Sequence, residues 1–173
     1  MISGWPRLAA VAVMLSGLSM TPQPAGAQVV HLDADTRREI ASEDFHAVKK
    51  VSQIPQTVID AAGAARGEGP GVPALAIAEP GAPYQATDVI SGPPLPGRRL
   101  VVAWTGDSTW ILHYEAGGVA HTYHVAVFDV VEGKAKFLWQ ARVREKLTSV
   151  DELRTLIRHG DPNEIDDSYT KFY

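Results

Sequence analysis

The chain has no cysteine, and this absence removes thiol catalysis, cysteine-ligated zinc, iron–sulfur clusters and disulfide stapling of the fold. It also lacks surplus positive charge. Lys and Arg number 16 against 20 Asp and Glu, for a net charge of −4; sequence-independent nucleic-acid binding needs a basic surface to displace counterions from phosphates. No phosphate-cradling glycine loop, helical His-Glu-x-x-His or calcium loop occurs. No cofactor is expected. Ser108, within Gly106-Asp107-Ser108-Thr109-Trp110, lacks the second glycine of the strand-to-helix elbow used by hydrolases.

Long apolar runs are scarce too, and the one that exists is short. Arg7, the apolar stretch Leu8 to Met20, and a small-x-small site at Ala25-Gly26-Ala27 follow one another in the order of a cleaved secretory signal. The stretch contains Ser16, Gly17 and Ser19, and a bilayer span needs roughly 20 apolar residues. With no following cysteine and no twin arginine, the expectation is Sec-type export without lipidation or membrane anchor, cleavage near Ala27, and a soluble bacterial product that is periplasmic or secreted. Cleavage removes one arginine and no acid, so the mature net charge is about −5.

Residues 28–60 form a polar, partly helical region. Thr36-Arg37-Arg38-Glu39 reads as a capping box, with Ile40, Phe45 and Val48 on one helix face. Phe45 to Val51 also alternates as a strand does, and helix is preferred. A short helix is predicted over Ser52 to Ala62, with Pro55 in its first turn, Val58, Ile59 and Ala62 on one face, and Gly63 ending it. Residues 61–97 are more than one third Gly and Pro, a composition that resists regular structure and reads as a flexible segment or tolerated insertion. Its apolar pieces, Ala74 to Ala78 and Tyr84 to Ile90, are the parts expected to pack.

Residues 98–160 carry the clearest pattern. Four strands are predicted, Arg98 to Thr105, Ser108 to Glu115, Val119 to Val131 and Lys134 to Val143, divided by Gly106-Asp107 (a type II′ turn), Gly117-Gly118 and Glu132-Gly133. With Glu132 and Gly133 as loop residues, Val130 opposes Ala135, Phe128 opposes Phe137 and Ala126 opposes Trp139 on a core face, while Asp129 pairs with Lys136 behind it. The same register places Trp110, Leu112, Tyr114, His121, Tyr123, Val125 and Leu138 on the second face, with Arg142 across from Tyr123. A final helix has Ser149 as cap and Glu152 completing a capping box, buries Val150, Leu153, Leu156 and Ile157, and stops at Gly160. Its predicted seat is the Phe128, Phe137 and Trp139 face. Residues 161–173 are an acidic tail.

The expected fold is therefore α+β: a four-stranded antiparallel β-meander, a C-terminal helix on one face and one or two short N-terminal helices. The candidate binding residues are Trp110, Tyr114, His121, Tyr123 and Arg142, because rigid aromatic area with polar tips is enriched at binding hot spots. The alternative is that the Gly/Pro-rich segment or the amino-terminal region folds back over this face. Histidine-based metal binding is a second possibility: His113 and His124 are placed on the core side and His121 opposite, with Glu115 a loose ligand candidate and His31-Leu32-Asp33-Ala34-Asp35 a terminal copper or nickel motif. A triad of Asp107, Ser108 and His113 is available by counting alone. The architecture resembles small exported inhibitor and binding modules that dock through a curved sheet. The functional expectation is a non-enzymatic interaction or inhibitor-like module with a periplasmic protein partner; the alternatives are a small hydrolase built around the 106–124 hairpins and a metal-binding protein.

Overall fold

The computed structural model describes residues 32, 34–65, 75–89 and 92–159. The expected leader 1–27, His31 and Asp33 of the proposed terminal metal motif, the Gly67 to Gly71 cluster, Gly160 and the acidic tail lie outside the described residues. In chain order the elements are α1 (Ala34–Ser42), β1 (His46–Val48), a 3₁₀ turn (Val51–Gln53), α2 (Gln56–Ala65), β2 (Ile77–Ala78), β3 (Arg98–Thr105), β4 (Thr109–Ala116), β5 (Thr122–Val131), β6 (Lys134–Val143) and α3 (Val150–His159). The antiparallel order is β1-β3-β4-β5-β6, and β2 pairs with β3 in parallel.

The α+β class with an antiparallel sheet holds, whereas the sheet has six strands rather than four. The alternation in Phe45 to Val51 prevails over the helix preference: His46 to Val48 pair with Thr105 to Ala103. The other added strand is the two-residue β2, beside Arg98 and Arg99. The first helix is described from Ala34, so Thr36 lies inside it rather than at its cap position. In α2, Pro55 accepts the first amide hydrogen bonds from Val58 and Ile59, and the helix runs through Gly63 to Ala65. Val58, Ile59 and Ala62 are buried as their spacing implies.

Besides a bulge at Val101 in β3, three local features reset the register of the meander. The Glu132-Gly133 hairpin is type I′ as expected, with φ of 51° and 74°, and Asp129 opposes Lys136. Past it, Leu138 is an extra residue in β6: Phe128 pairs with Phe137 but Val127 pairs with Trp139, so this β-bulge sends Trp139 to the opposite face from Phe137. The β4–β5 connection is a five-residue loop, because Ala116 pairs with Thr122 rather than Val119. Relative to the expected hairpin that is a shift of three, an odd number, which exchanges the faces. Finally, β3–β4 closes with Thr105 opposite Trp110, and Gly106 has no positive φ, so the turn is not type II′. Its Asp107 and Ser108 amides instead donate to the Glu43 carboxylate at 2.9 and 3.3 Å.

Both sheet faces are covered as a result. On one, Trp104, Ile111, Val125, Val127, Trp139 and Ala141 pack with Ile40 of α1 and Leu153, Leu156 and Ile157 of α3. On the other, Leu100, Ala103, Leu112, Tyr114, Ala126 and Phe128 pack with Val58, Ile59 and Ala62 of α2 and with Leu75. The C-terminal helix therefore lies against Trp139 but not against Phe128 and Phe137, which belong to the α2 side. Its capping box forms as read from the sequence: the Glu152 amide donates to Ser149 Oγ at 3.2 Å, and the Ser149 amide donates back to Glu152 at 3.2 Å. Arginines tie α1 and α3 together through helix-end carbonyls. Arg37 donates to Ile157 O (3.2 Å), Arg154 to Glu43 O (2.7 Å) and Arg158 to Ala41 O (3.4 Å), satisfying acceptors a helix cannot satisfy itself.

Candidate functional site

The most concentrated polar chemistry stands at the end of the sheet where β4 meets the Gly117–His121 loop. Pairing of Arg99 with Glu115 and of Glu115 with Tyr123 puts these three side chains in one row on one face. The Glu115 carboxylate is only 9% exposed. It accepts from Arg99 Nε at 2.6 Å, His121 Nε2 at 2.7 Å and Tyr84 Oη at 3.3 Å. Burial opposes ionisation of Glu115, but the hydrogen bonds from Arg99 and His121 outweigh it and hold the carboxyl below its usual range. Burial, reinforced by the Glu115 charge, pushes the Tyr84 hydroxyl up, and the hydrogen bond to Glu115 raises Arg99. Arg99 also donates to Ala82 O at 3.2 Å and lies 4.5 Å over the Tyr84 ring.

An ionised carboxylate can only accept, so His121 Nε2 carries the proton in this contact and Nδ1 is left for solvent or a ligand. The ring packs edge-on to Tyr123 at 4.8 Å. His121, Thr122, Arg142, Val143 and Arg144 line a cleft of about 210 Å³. Among the described residues neither Arg142 nor Arg144 has an ion-pair partner. The cleft thus has two arginines and a histidine and no carboxylate in its lining; Glu115 sits behind His121 and is shared with Arg99.

The five residues singled out from the sequence fall into two groups. His121, Tyr123 and Arg142 gather at this end of the sheet, although Arg142 opposes His124 and Val143 opposes Tyr123 because of the bulge. Tyr114 is 1% exposed and stacks on His124 at 5.2 Å beneath α2. Trp110 is half-buried at the opposite end, beside Thr105 and Phe128. The common face imagined for all five does not exist, since Trp110 and Tyr114 are on the α2 side and Tyr123 on the α3 side. Sequence reasoning missed Arg99, Tyr84 and Arg144 and gave Glu115 only a loose metal role. Arg99 and Glu115 become a cross-strand pair only once the bulge at Val101 is known.

The histidines are likewise redistributed. His113 and His124 point to opposite faces, pairing with Val125 and Tyr114 respectively. His113 is fully buried. Its Nε2 accepts the Leu147 amide at 3.0 Å, which makes Nδ1 the protonated nitrogen, donating to His124 O at 2.9 Å. Both nitrogens are committed, so the triad of Asp107, Ser108 and His113 cannot assemble. Among the described residues no three His, Asp or Glu side chains are grouped to hold a metal ion, and no helix is long and apolar enough to cross a membrane.

A second cleft, of about 390 Å³, lies on the α3 side between β1, β3 and residues 146–150, with Phe45 and Trp104 in its walls and Lys49 and Lys146 at its rim. A third is acidic, including Glu39, Glu43, Asp44, Asp107 and Asp129; the Glu43 carboxylate there already holds the β3–β4 turn. Set beside known protein families, curated proteins and solved structures, the chain matches none of them, and its function has to be argued from this geometry.

Proposed function

We propose that the chain is a non-enzymatic binding module of an exported protein, and that it takes an acidic side chain or terminus of a protein partner into the His121, Arg142 and Arg144 cleft. The observation that supports this reading most is the pairing state of the arginines: two guanidiniums without ion-pair partners among the described residues flank a histidine anchored on Glu115. Guanidinium suits bidentate capture of carboxylate. In a chain of net charge −4, a local cationic cleft also favours an acidic partner through electrostatic complementarity. Helices cover both sheet faces, so docking through the sheet end replaces docking through an open face. The leader sequence supports export and a periplasmic or secreted location.

The test is an amide NMR titration with tetraglutamate. Shifts concentrated at residues 121–122 and 142–144, and at least tenfold weaker binding by an Arg142→Ala/Arg144→Ala variant, about 1.4 kcal/mol or more, are the expected result. Shifts scattered over the surface, or equal binding by that variant, would refute it.

The 2.7 Å contact between His121 and Glu115 favours one second reading, a small hydrolase in which Glu115 orients His121 as general base toward water. That reading requires turnover of an activated ester or phosphoester that disappears in His121→Ala while the fold is retained. Activity persisting in His121→Ala would exclude it.

A further inference from the structure

The second cleft carries an inference independent of the first. Its volume of about 390 Å³ is within the range of small-molecule sites. The apolar part of the wall is Trp104, only 3% exposed, Phe45 and Val102 from the sheet side, and Leu147 and Val150 from the chain entering α3, with Thr148 and Ser149 adding polar atoms between them. The bulge at Val101 contributes directly. By placing one extra residue in β3 it lets Val101 and Val102, consecutive in sequence, both line the cavity.

The opposite wall is fixed in place. Leu147 donates its amide to His113 Nε2 (3.0 Å), while the amides of Thr148 and Ser149 donate to Glu152 (2.6 and 3.2 Å). Glu152 thereby occupies the amides ahead of α3 that would otherwise receive an anion. The charges left at the cleft are Lys49 and Lys146, both exposed at the rim, and no Asp or Glu lines it.

A cleft with aromatic wall residues and two lysines in its lining, the neighbouring Glu152 carboxylate already bonded to the Thr148 and Ser149 amides, suits an amphipathic anion. We propose that this cleft is a binding site for a small aromatic carboxylic acid, whose ring packs on Trp104 and Phe45 while its carboxylate meets Lys49 and Lys146. A neutral molecule of the same shape gains the apolar contacts but not the charge pairing, so affinity depends on ionisation of the ligand.

Calorimetric titration with 4-phenylbutyrate, and with 4-phenylbutanol as its neutral counterpart, tests this. Saturable binding of the acid is expected, at least tenfold tighter than the alcohol. Lys49→Ala/Lys146→Ala should weaken the acid at least tenfold, and Ala47→Trp, which fills the cavity, should abolish binding. Arg142→Ala/Arg144→Ala should leave it unchanged, which separates this site from the sheet-end cleft. Both lysines are exposed, so their double variant decides the matter even if Ala47→Trp fails to fold. No binding of the acid, equal binding of acid and alcohol, or binding unaffected by removal of the lysines would overturn the proposal.

Discussion

Replacing His113 with Gln changes how the stability of this fold depends on pH. Burial is the main reason the His113 imidazole is lowered from 6.5 to about 4; the hydrogen bond to His124 O opposes the shift and the nearby Lys146 charge adds to it. Protonation would also put an N–H where Nε2 now accepts the Leu147 amide. In the unfolded chain the ring takes up its proton at the usual value, whereas in the folded chain it resists. Above about pH 6.5 neither state is protonated and His113 imposes no pH-dependent cost. Between pH 6.5 and 4 the unfolded state binds the proton preferentially and folding is progressively disfavoured.

Each unit of that gap is worth about 1.4 kcal/mol, so about 3 kcal/mol of stability is lost through this one side chain by pH 4. Glutamine can still donate to His124 O and accept from Leu147 N, but it does not titrate. Urea unfolding of both proteins at intervals from pH 7.5 to 4 subtracts every other titrating group. The wild type, the more stable protein at pH 7 by about 1 kcal/mol for its better packing, should lose about 3 kcal/mol relative to His113→Gln and become the less stable of the two. Parallel stability curves, or an NMR titration placing the folded His113 ring near 6.5, would refute the reasoning.

Other expectations follow from the same structure. Removing the carboxylate by Glu115→Ala leaves Arg99 with Ala82 O and the Tyr84 ring and should cost about 2 kcal/mol, as loss of charge-assisted hydrogen bonds does, read by urea unfolding at pH 7. Because the folded Glu115 carboxyl is held below its usual range, its contribution is present above about pH 4.5 and is lost as pH falls through the folded value, so the gap between wild type and variant should narrow in acid. At Gly117 a Cβ would run into the Gln85 carbonyl oxygen and come within 2.6 Å of the Ala86 Cα; both are backbone, so Gly117→Ala should destabilise by about 2 kcal/mol, measured as a lowered Tm. Ser149→Ala removes the α3 cap and should cost about 1 kcal/mol, with Ser149→Asp restoring most of it.

Much of the fold could be read from residue patterns, and the failures have identifiable physical causes. The Glu132-Gly133 turn, the ends of β3 and β6 and the capping box of α3 rest on local chemistry, which sequence displays. Face assignments rest on counting, and one inserted residue reverses them. Leu138 in β6 and Val101 in β3 are ordinary aliphatic residues within strands, so nothing in composition marks either as a bulge. Gly117-Gly118 is a good hairpin signal, but Gln85 and Ala86 pack against Gly117 and open the connection to five residues. That contact comes from the Gly/Pro-rich segment, whose described part is placed by backbone bonds such as Gln85 N to Pro96 O (2.8 Å) and Gly117 N to Gly97 O (3.1 Å).

The site was legible only in part for the same reason. His121, Tyr123 and Arg142 attract notice as residue types, and they do come together at the sheet end. Glu115, which organises His121 and Arg99, is one acid among 20 Asp and Glu until the register places it between an arginine and a tyrosine. Tyr114 and Trp110 have equally good hot-spot composition, yet the exchanged register puts them on the α2 side. Arg144 lies just past β6 and has no pattern to belong to.

If Arg142 and Arg144 at the sheet end select an acidic partner, reversing their charge must reverse the preference. Calorimetry should show the wild-type protein binding tetraglutamate and not tetralysine, while Arg142→Glu/Arg144→Glu loses tetraglutamate and gains tetralysine with its thermal unfolding unchanged. If the reversed protein keeps its preference for tetraglutamate, or if the wild type binds neither peptide, the His121, Arg142 and Arg144 cleft is not the recognition site.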